Sequence, residues 1–132
     1  MLLKGSIVIH CASLVYIEDG KVFLVRVRNN TLWYFPGGKI AEGEDAASAL
    51  LRELYEELTI SVTIEDIRFL TDIIGPSHDG GDLVHLYLYT MNTLPPCTPG
   101  NEVSETGWFS LSDTHSMAPA VIKTLRYIHH GL

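Results

Sequence analysis

Residues 38–60 read GKIAEGEDAASALLRELYEELTI, and the interpretation of this stretch decides the fold. Glu53, Glu56 and Glu57 fall within about one turn of any helix formed here. Like charges at i,i+4 repel on a helix by roughly 0.2–0.5 kcal/mol per pair. Either the three acids form a solvated face, or something positive belongs among them. At about 100° per residue, Ala47, Leu50, Leu51, Leu54 and Leu58 make one apolar stripe suited to packing on a sheet. The glutamates occupy a separate arc with Ala46 and Ala49, two small residues that leave room at that surface. Arg52 lies at the edge of that arc, four residues before Glu56, in the less favourable order for a helix ion pair. Helix stability alone is therefore a weak reason for the pattern. Asp45 is the expected N-cap, and the helix is expected to run to about Leu58.

Pro36-Gly37-Gly38, then Glu42, Gly43 and Glu44, put a close-approach backbone at the N-terminal side of this helix. Hard oxygen ligands on one face suit Mg²⁺, which takes one or two carboxylates together with waters and substrate phosphates. The residues themselves thus point to Mg²⁺-dependent phosphate chemistry. Around them, 6–17 and 21–28 are β-rich and joined by Glu18-Asp19-Gly20, a hairpin signal. Residues 32–35 predict a short strand stopped by Pro36-Gly37-Gly38, with a loop from there to Asp45. Further strands are expected near 62–75, 83–91 and 103–110, the last two separated by the Pro-rich TLPPCTPGNE (93–102). APAVIKTLRYIHH (118–130) predicts a helix with Pro119 in its first turn and a frayed His129-His130 end. Strands interspersed with two helices give an α/β sandwich.

The 132 residues predict one domain, 1–132, of ordinary globular composition (46% hydrophobic, 19% charged). No apolar run approaches the roughly 20 residues of a membrane span. The first residues read as a strand rather than a signal peptide. Cys11 and Cys97, far apart, fit reduced thiols in a cytoplasmic protein. Net charge is −7, with nine Lys and Arg against sixteen acids. That balance argues against extended nucleic-acid contacts. A phosphorylated substrate would need cations recruited locally or supplied as metal.

Residues 38–60 also resemble the Nudix hydrolase signature, G-x5-E-x7-R-E-U-x-E-E-x-G-U. Gly38, Glu44, Arg52, Glu53, Leu54, Glu56, Glu57 and Ile60 are in register. Thr59 replaces the late glycine, and a different helix cap is expected there. The resemblance implies the Nudix α/β/α sandwich, a mixed β-sheet between helices. It also implies hydrolysis of a phosphoanhydride bond in a nucleoside diphosphate derivative. It assigns Glu53, Glu56 and Glu57 as metal ligands, with Glu53 and Glu56 the best pair, and Gly38 as a backbone neighbour of the metal. The metal is Mg²⁺, with Mn²⁺ as its substitute. Arg52 orients a glutamate, and Glu44 secures the loop–helix junction.

The general base is less fixed within the family. Glu102, six residues before Trp108, is preferred, completed by ordering of a mobile loop, with Glu105 as the competitor. Arg26 and Arg28 share a strand face by period two and are candidates for phosphate contacts. Of Trp33, Tyr34 and Phe35, one can stack on a base; Phe35 is the candidate. No two histidines stand at ligand spacing, and His78 is expected in a loop. The expected partner is a small nucleotide, bound by a monomer or homodimer. A nucleoside triphosphate or related nucleotide comes first. Residues 118–121 lack the Asn or Asp that relatives specific for oxidised purines carry. ADP-ribose is the second expectation, on Pro76 sixteen residues after the motif. A catalytically inactive nucleotide-binding regulator is the alternative of another class, but such proteins tend to lose motif glutamates that this chain keeps.

Overall fold

The structure, a computed structural model, describes residues 7–28, 30–76 and 82–131. The elements in chain order are β1 (Val8–Leu14), β2 (Ile17–Glu18), β3 (Lys21–Val27), β4 (Trp33–Tyr34), β5 (Gly37–Lys39), α1 (Ala46–Leu58), β6 (Ile67–Pro76), β7 (Leu83–Met91), β8 (Val103–Ser110) and α2 (Pro119–Gly131). A single 3₁₀ turn, Ile64–Asp66, precedes β6. The expected 6–17 strand is divided into β1 and β2. The β2–β3 hairpin turns at Asp19 and Gly20, whose φ values of 53° and 74° are the pair a tight right-twisted hairpin requires.

One sheet has the order β5-β1-β7-β6, with β1 parallel to β7 and the other pairs antiparallel. In the second, β3 pairs with β2, β4 and β8, all antiparallel. Alternation along the strands builds two cores. Ala12, Leu14, Phe23, Val25 and Met91 pack with Ala49, Leu50, Leu54 and Leu58 of α1. Val15, Val22, Leu24, Leu86 and Leu88 pack with Val121 and Leu125 of α2. The helices therefore cover opposite faces of the strands, as an α/β/α sandwich does.

Four local expectations are corrected. Gly37–Lys39 is not loop but a short strand, paired with Ser13, Ala12 and Cys11 of β1. Ala49 is fully buried and Ala46 packs against the same core, so their small side chains admit the sheet rather than open a surface. Thr59 caps α1 in the left-handed region (φ 57°, ψ 32°) that the missing glycine would have favoured. The strain, about 1–2 kcal/mol, is outweighed because this turn delivers Ile60 into the core. Finally, α2 stays helical through His129 and His130 to Gly131. His78 lies outside the described residues. No described helix is long and apolar enough to cross a membrane.

Candidate active site

Asp45 caps α1 as expected, its Oδ1 accepting from the Ser48 N–H at 2.8 Å. Two turns on, the Arg52 guanidinium distributes its donors over four groups. Nε and Nη2 each reach Glu44 at 2.9 Å in a bidentate fork. Nη1 donates to Glu53 at 2.9 Å and to Glu56 at 3.3 Å. Nη2 also donates to the Lys39 carbonyl at 3.1 Å. Arg52, with the Ala41 N–H, holds the Glu44 carboxyl down to about 2, so Glu44 is a fixed anion at the loop–helix junction. Bidentate charge-assisted geometry of this kind fixes orientation as well as energy.

Glu57 is the exception within the acidic arc. Its Oε1 accepts from the Gly37 N–H at 3.0 Å, and Arg52 does not reach it. Burial pushes its carboxyl up to about 8; the negative charges of Glu53, Glu56 and Glu102 add to that, while the Gly37 N–H opposes it. Gly38 lies directly against Glu53. A Cβ there would stand 2.6 Å from the Glu53 Cδ and 2.7 and 2.8 Å from its oxygens. Among the described residues, no three His, Cys, Asp or Glu side chains are gathered into a preformed metal cage. Mg²⁺ does not need one, because it keeps waters and takes only one or two carboxylates. The residues fit such an ion: hard oxygens, an electrostatic deficit at Glu57, and a side-chain-free backbone at Gly38.

A cavity of about 640 Å³ opens from Gly37, Gly38, Lys39, Glu57 and Glu102. Phe35, Tyr34, Cys11, Ser13 and residues 118–121 also line it, as does Pro76. Burial raises the Cys11 thiol to about 11, against the pull of Lys39, so this wall is neutral at ordinary pH. Phe35, proposed from sequence as a base contact, belongs both to the cavity wall and to the α2-side core. Arg26 and Arg28 are not among the lining residues. Arg26 is ion-paired with Glu105 and lies over the Trp33 ring, 5.7 Å from its centroid. Arg28 is exposed. The register of β3 against β8 shifts between Arg26 and Val27, and Arg28 lies past the strand end, so strict period two does not carry from one arginine to the other. Lys39 is the residue that sequence inspection passed over. Its position between Gly38 and the motif helix was a signal, since a strand there turns its side chain over the same groove.

Glu102 lines the cavity and Glu105 does not. The loop carrying Glu102 is hydrogen-bonded to the end of α1. The Thr98 N–H donates to the Leu58 carbonyl at 2.9 Å and the Gly100 N–H to the Glu57 carbonyl at 2.7 Å. Both acceptors lie at the α1 C-terminus, where carbonyls lack intrahelical partners.

The NUDIX domain family matches residues 9–129, nearly the whole chain. The chain belongs to the Nudix family. It is similar to the CTP pyrophosphohydrolase of Escherichia coli K12, at 29% identity over 117 residues covering 82% of each chain. It is similar to the RNA pyrophosphohydrolase of Photobacterium profundum over a shorter region, 45% identical across 53 residues. That match covers 40% of this chain and 29% of the relative, so the chain spans under a third of that protein's length. The solution structure of the E. coli ORF135 protein covers 98% of this chain, and 94% of its own, at 26% identity and TM-score 0.73. A MutT Nudix hydrolase from Burkholderia pseudomallei shares the fold at 20% identity and TM-score 0.75, over 92% of this chain and 98% of its own.

Proposed function

We propose that this Nudix hydrolase cleaves a phosphoanhydride bond of a nucleoside triphosphate, with Mg²⁺ bound by Glu53, Glu56, Glu57 and the Gly38 backbone. One observation carries the proposal. The Glu57 carboxyl and the Gly38 backbone border the same 640 Å³ cavity as a mostly apolar wall, Phe35 and residues 118–121. A cavity of that size with few convergent polar groups suits a drug-sized ligand such as a nucleotide. The ion, when bound, supplies Lewis-acid polarisation and charge neutralisation of the diphosphate.

The chain's own residues do the rest. Arg52 holds the Glu53 and Glu56 carboxylates at fixed angles while Glu44 anchors Arg52 from behind. Lys39 adds positive charge at the cavity and meets the phosphates from the β5 side. Glu102, across from Glu57, accepts the proton of the attacking water as general base. Phe35 packs against the base, and the apolar residues 118–121 form the adjoining wall without a polar group to select an oxidised purine.

The likeness to a CTP pyrophosphohydrolase across 82% of both chains supports a triphosphate. ADP-ribose is the second substrate, favoured by Pro76 on the cavity wall. The deciding experiment is a panel of nucleoside triphosphates, ADP-ribose and 5′-triphosphorylated RNA with Mg²⁺, products resolved by chromatography, each repeated with a chelator. Triphosphate turnover abolished by chelation is expected. Binding without turnover across the whole panel would establish the regulatory alternative instead.

A further inference from the structure

We infer that the segment 98–103 is a fixed clasp on the C-terminus of α1, and that Gly100 is a positioning residue for Glu102. The inference rests on the proposed role of Glu102. Five hydrogen bonds make the clasp. Thr98 and Gly100 donate their N–H groups to the Leu58 and Glu57 carbonyls, and the Thr59 hydroxyl donates to the Thr98 carbonyl at 3.2 Å. The Val103 N–H closes onto the Gly100 carbonyl at 3.1 Å, and the Arg28 N–H donates to the Glu102 carbonyl at 2.8 Å. Asn101 turns through the left-handed region with φ 47°, a conformation Asn tolerates. The backbone on both sides of the Glu102 side chain is thereby tied, on one side to the helix that carries Glu56 and Glu57 and on the other to the end of β3.

Gly100 is the point of closest approach. A Cβ at this position would stand 2.9 Å from the Glu56 carbonyl oxygen, a backbone atom that cannot swing away. Any larger residue must lift the clasp from the helix and carry Glu102 with it. Such a shift leaves substrate contacts in place and moves only the group acting on water, so kcat falls and KM does not.

The test is a double-mutant cycle of Gly100→Ala and Glu102→Gln on the best substrate of the panel, with amide hydrogen exchange on metal-free protein. In the wild type the Thr98 and Gly100 amides are protected without ligand, and Gly100→Ala removes that protection. Gly100→Ala lowers kcat by roughly 10- to 100-fold and has no further effect once Glu102 is Gln. Thr59→Val, which deletes one clasp donor and keeps the side-chain shape, shows a smaller loss of the same kind and covers the case in which Gly100→Ala does not fold. An equal loss from Gly100→Ala or Thr59→Val in the Glu102→Gln background overturns the inference, as do unprotected wild-type amides. A wild type that turns over no nucleotide overturns the functional proposal, while the exchange data still judge the clasp.

Discussion

Replacing Gly38 by Ala separates the site from the fold more cleanly than any other single change. The three atoms nearest the added methyl are all at the end of the Glu53 side chain, at 2.6–2.8 Å. Ordinary contact begins at roughly 3.5 Å, so the carboxylate must withdraw by about 0.7–0.9 Å. It can do so, because the nearest obstructing atoms belong to the far end of a flexible side chain. The φ at Gly38 lies outside the left-handed range, so alanine adds no backbone strain. A displacement on the order of 1 Å at a reacting centre costs about 10²-fold in rate. Gly38→Ala should therefore lower kcat by about that factor and weaken Mg²⁺ binding, with a melting temperature within about 3 °C of wild type. The assay is steady-state turnover at saturating Mg²⁺ beside thermal unfolding of the same preparation. A kcat within about twofold of wild type, with the fold intact, would refute the idea that Glu53 needs that space. Gly37→Ala is the contrast. There the Cβ runs into the backbone of Ala12 and Ser13, and φ is 138°, so the protein should lose stability before activity can be asked about.

Glu56→Gln should cut kcat by orders of magnitude without unfolding the chain, since an amide oxygen can still accept from Arg52 and one repulsion is removed. Near-normal turnover would return the acidic arc to a solvated surface. Glu102→Gln should lower kcat about 10²-fold, the low end for losing a general base, whereas Glu105→Gln, whose amide oxygen can still accept from Arg26, should be nearly silent; parallel kinetics of the two decide. The Glu57 carboxyl, raised to about 8 in the metal-free fold from an ordinary value of 4.5, contributes stability that is complete below 4.5 and is lost as pH rises through 8. Thermal melts of chelated protein should therefore show a pH-dependent loss across that window that Glu57→Gln abolishes. In the same window Mg²⁺ affinity should rise with pH, because the ligand must be deprotonated; calorimetric titration at pH 6 and pH 8 measures it.

The motif helix was legible because its signals are local: an Asp cap, an apolar stripe and acids on a second arc all follow from helix geometry. The hairpin at Asp19-Gly20 was legible for the same reason. What escaped depends on long-range partners. Gly37–Lys39 becomes a strand only because β1 offers an edge to it. The face on which Arg26 stands could be counted from sequence, but that this face meets Glu105 and Trp33 could not. Thr59 shows the limit from the other side. Propensity argued for a different cap, and burial of Ile60 overrode it. Lys39 became visible as a cavity residue only when the strand it sits on was known.

The pairing of β1 with β7 has a consequence for how the molecule comes into being. Val8 lies beside Leu83 and Leu14 beside Tyr89, so β1 finds its parallel neighbour only after the whole motif helix has been made. Non-local parallel pairing is entropically late and slow, because a long loop closes before the contacts reward it. On the ribosome, a nascent chain ending near residue 60 already contains every glutamate of α1 but not β7. The strand that seats β5 would still have one edge unpaired, and α1 would lack the Tyr89 and Met91 side of its core. Completion of the platform under the acidic helix should thus track emergence of Met91 from the exit tunnel rather than synthesis of that helix, with Glu102 and residues 118–121 joining the site later still. A stalled chain that stops short of it would carry the ligands without the platform that aims them.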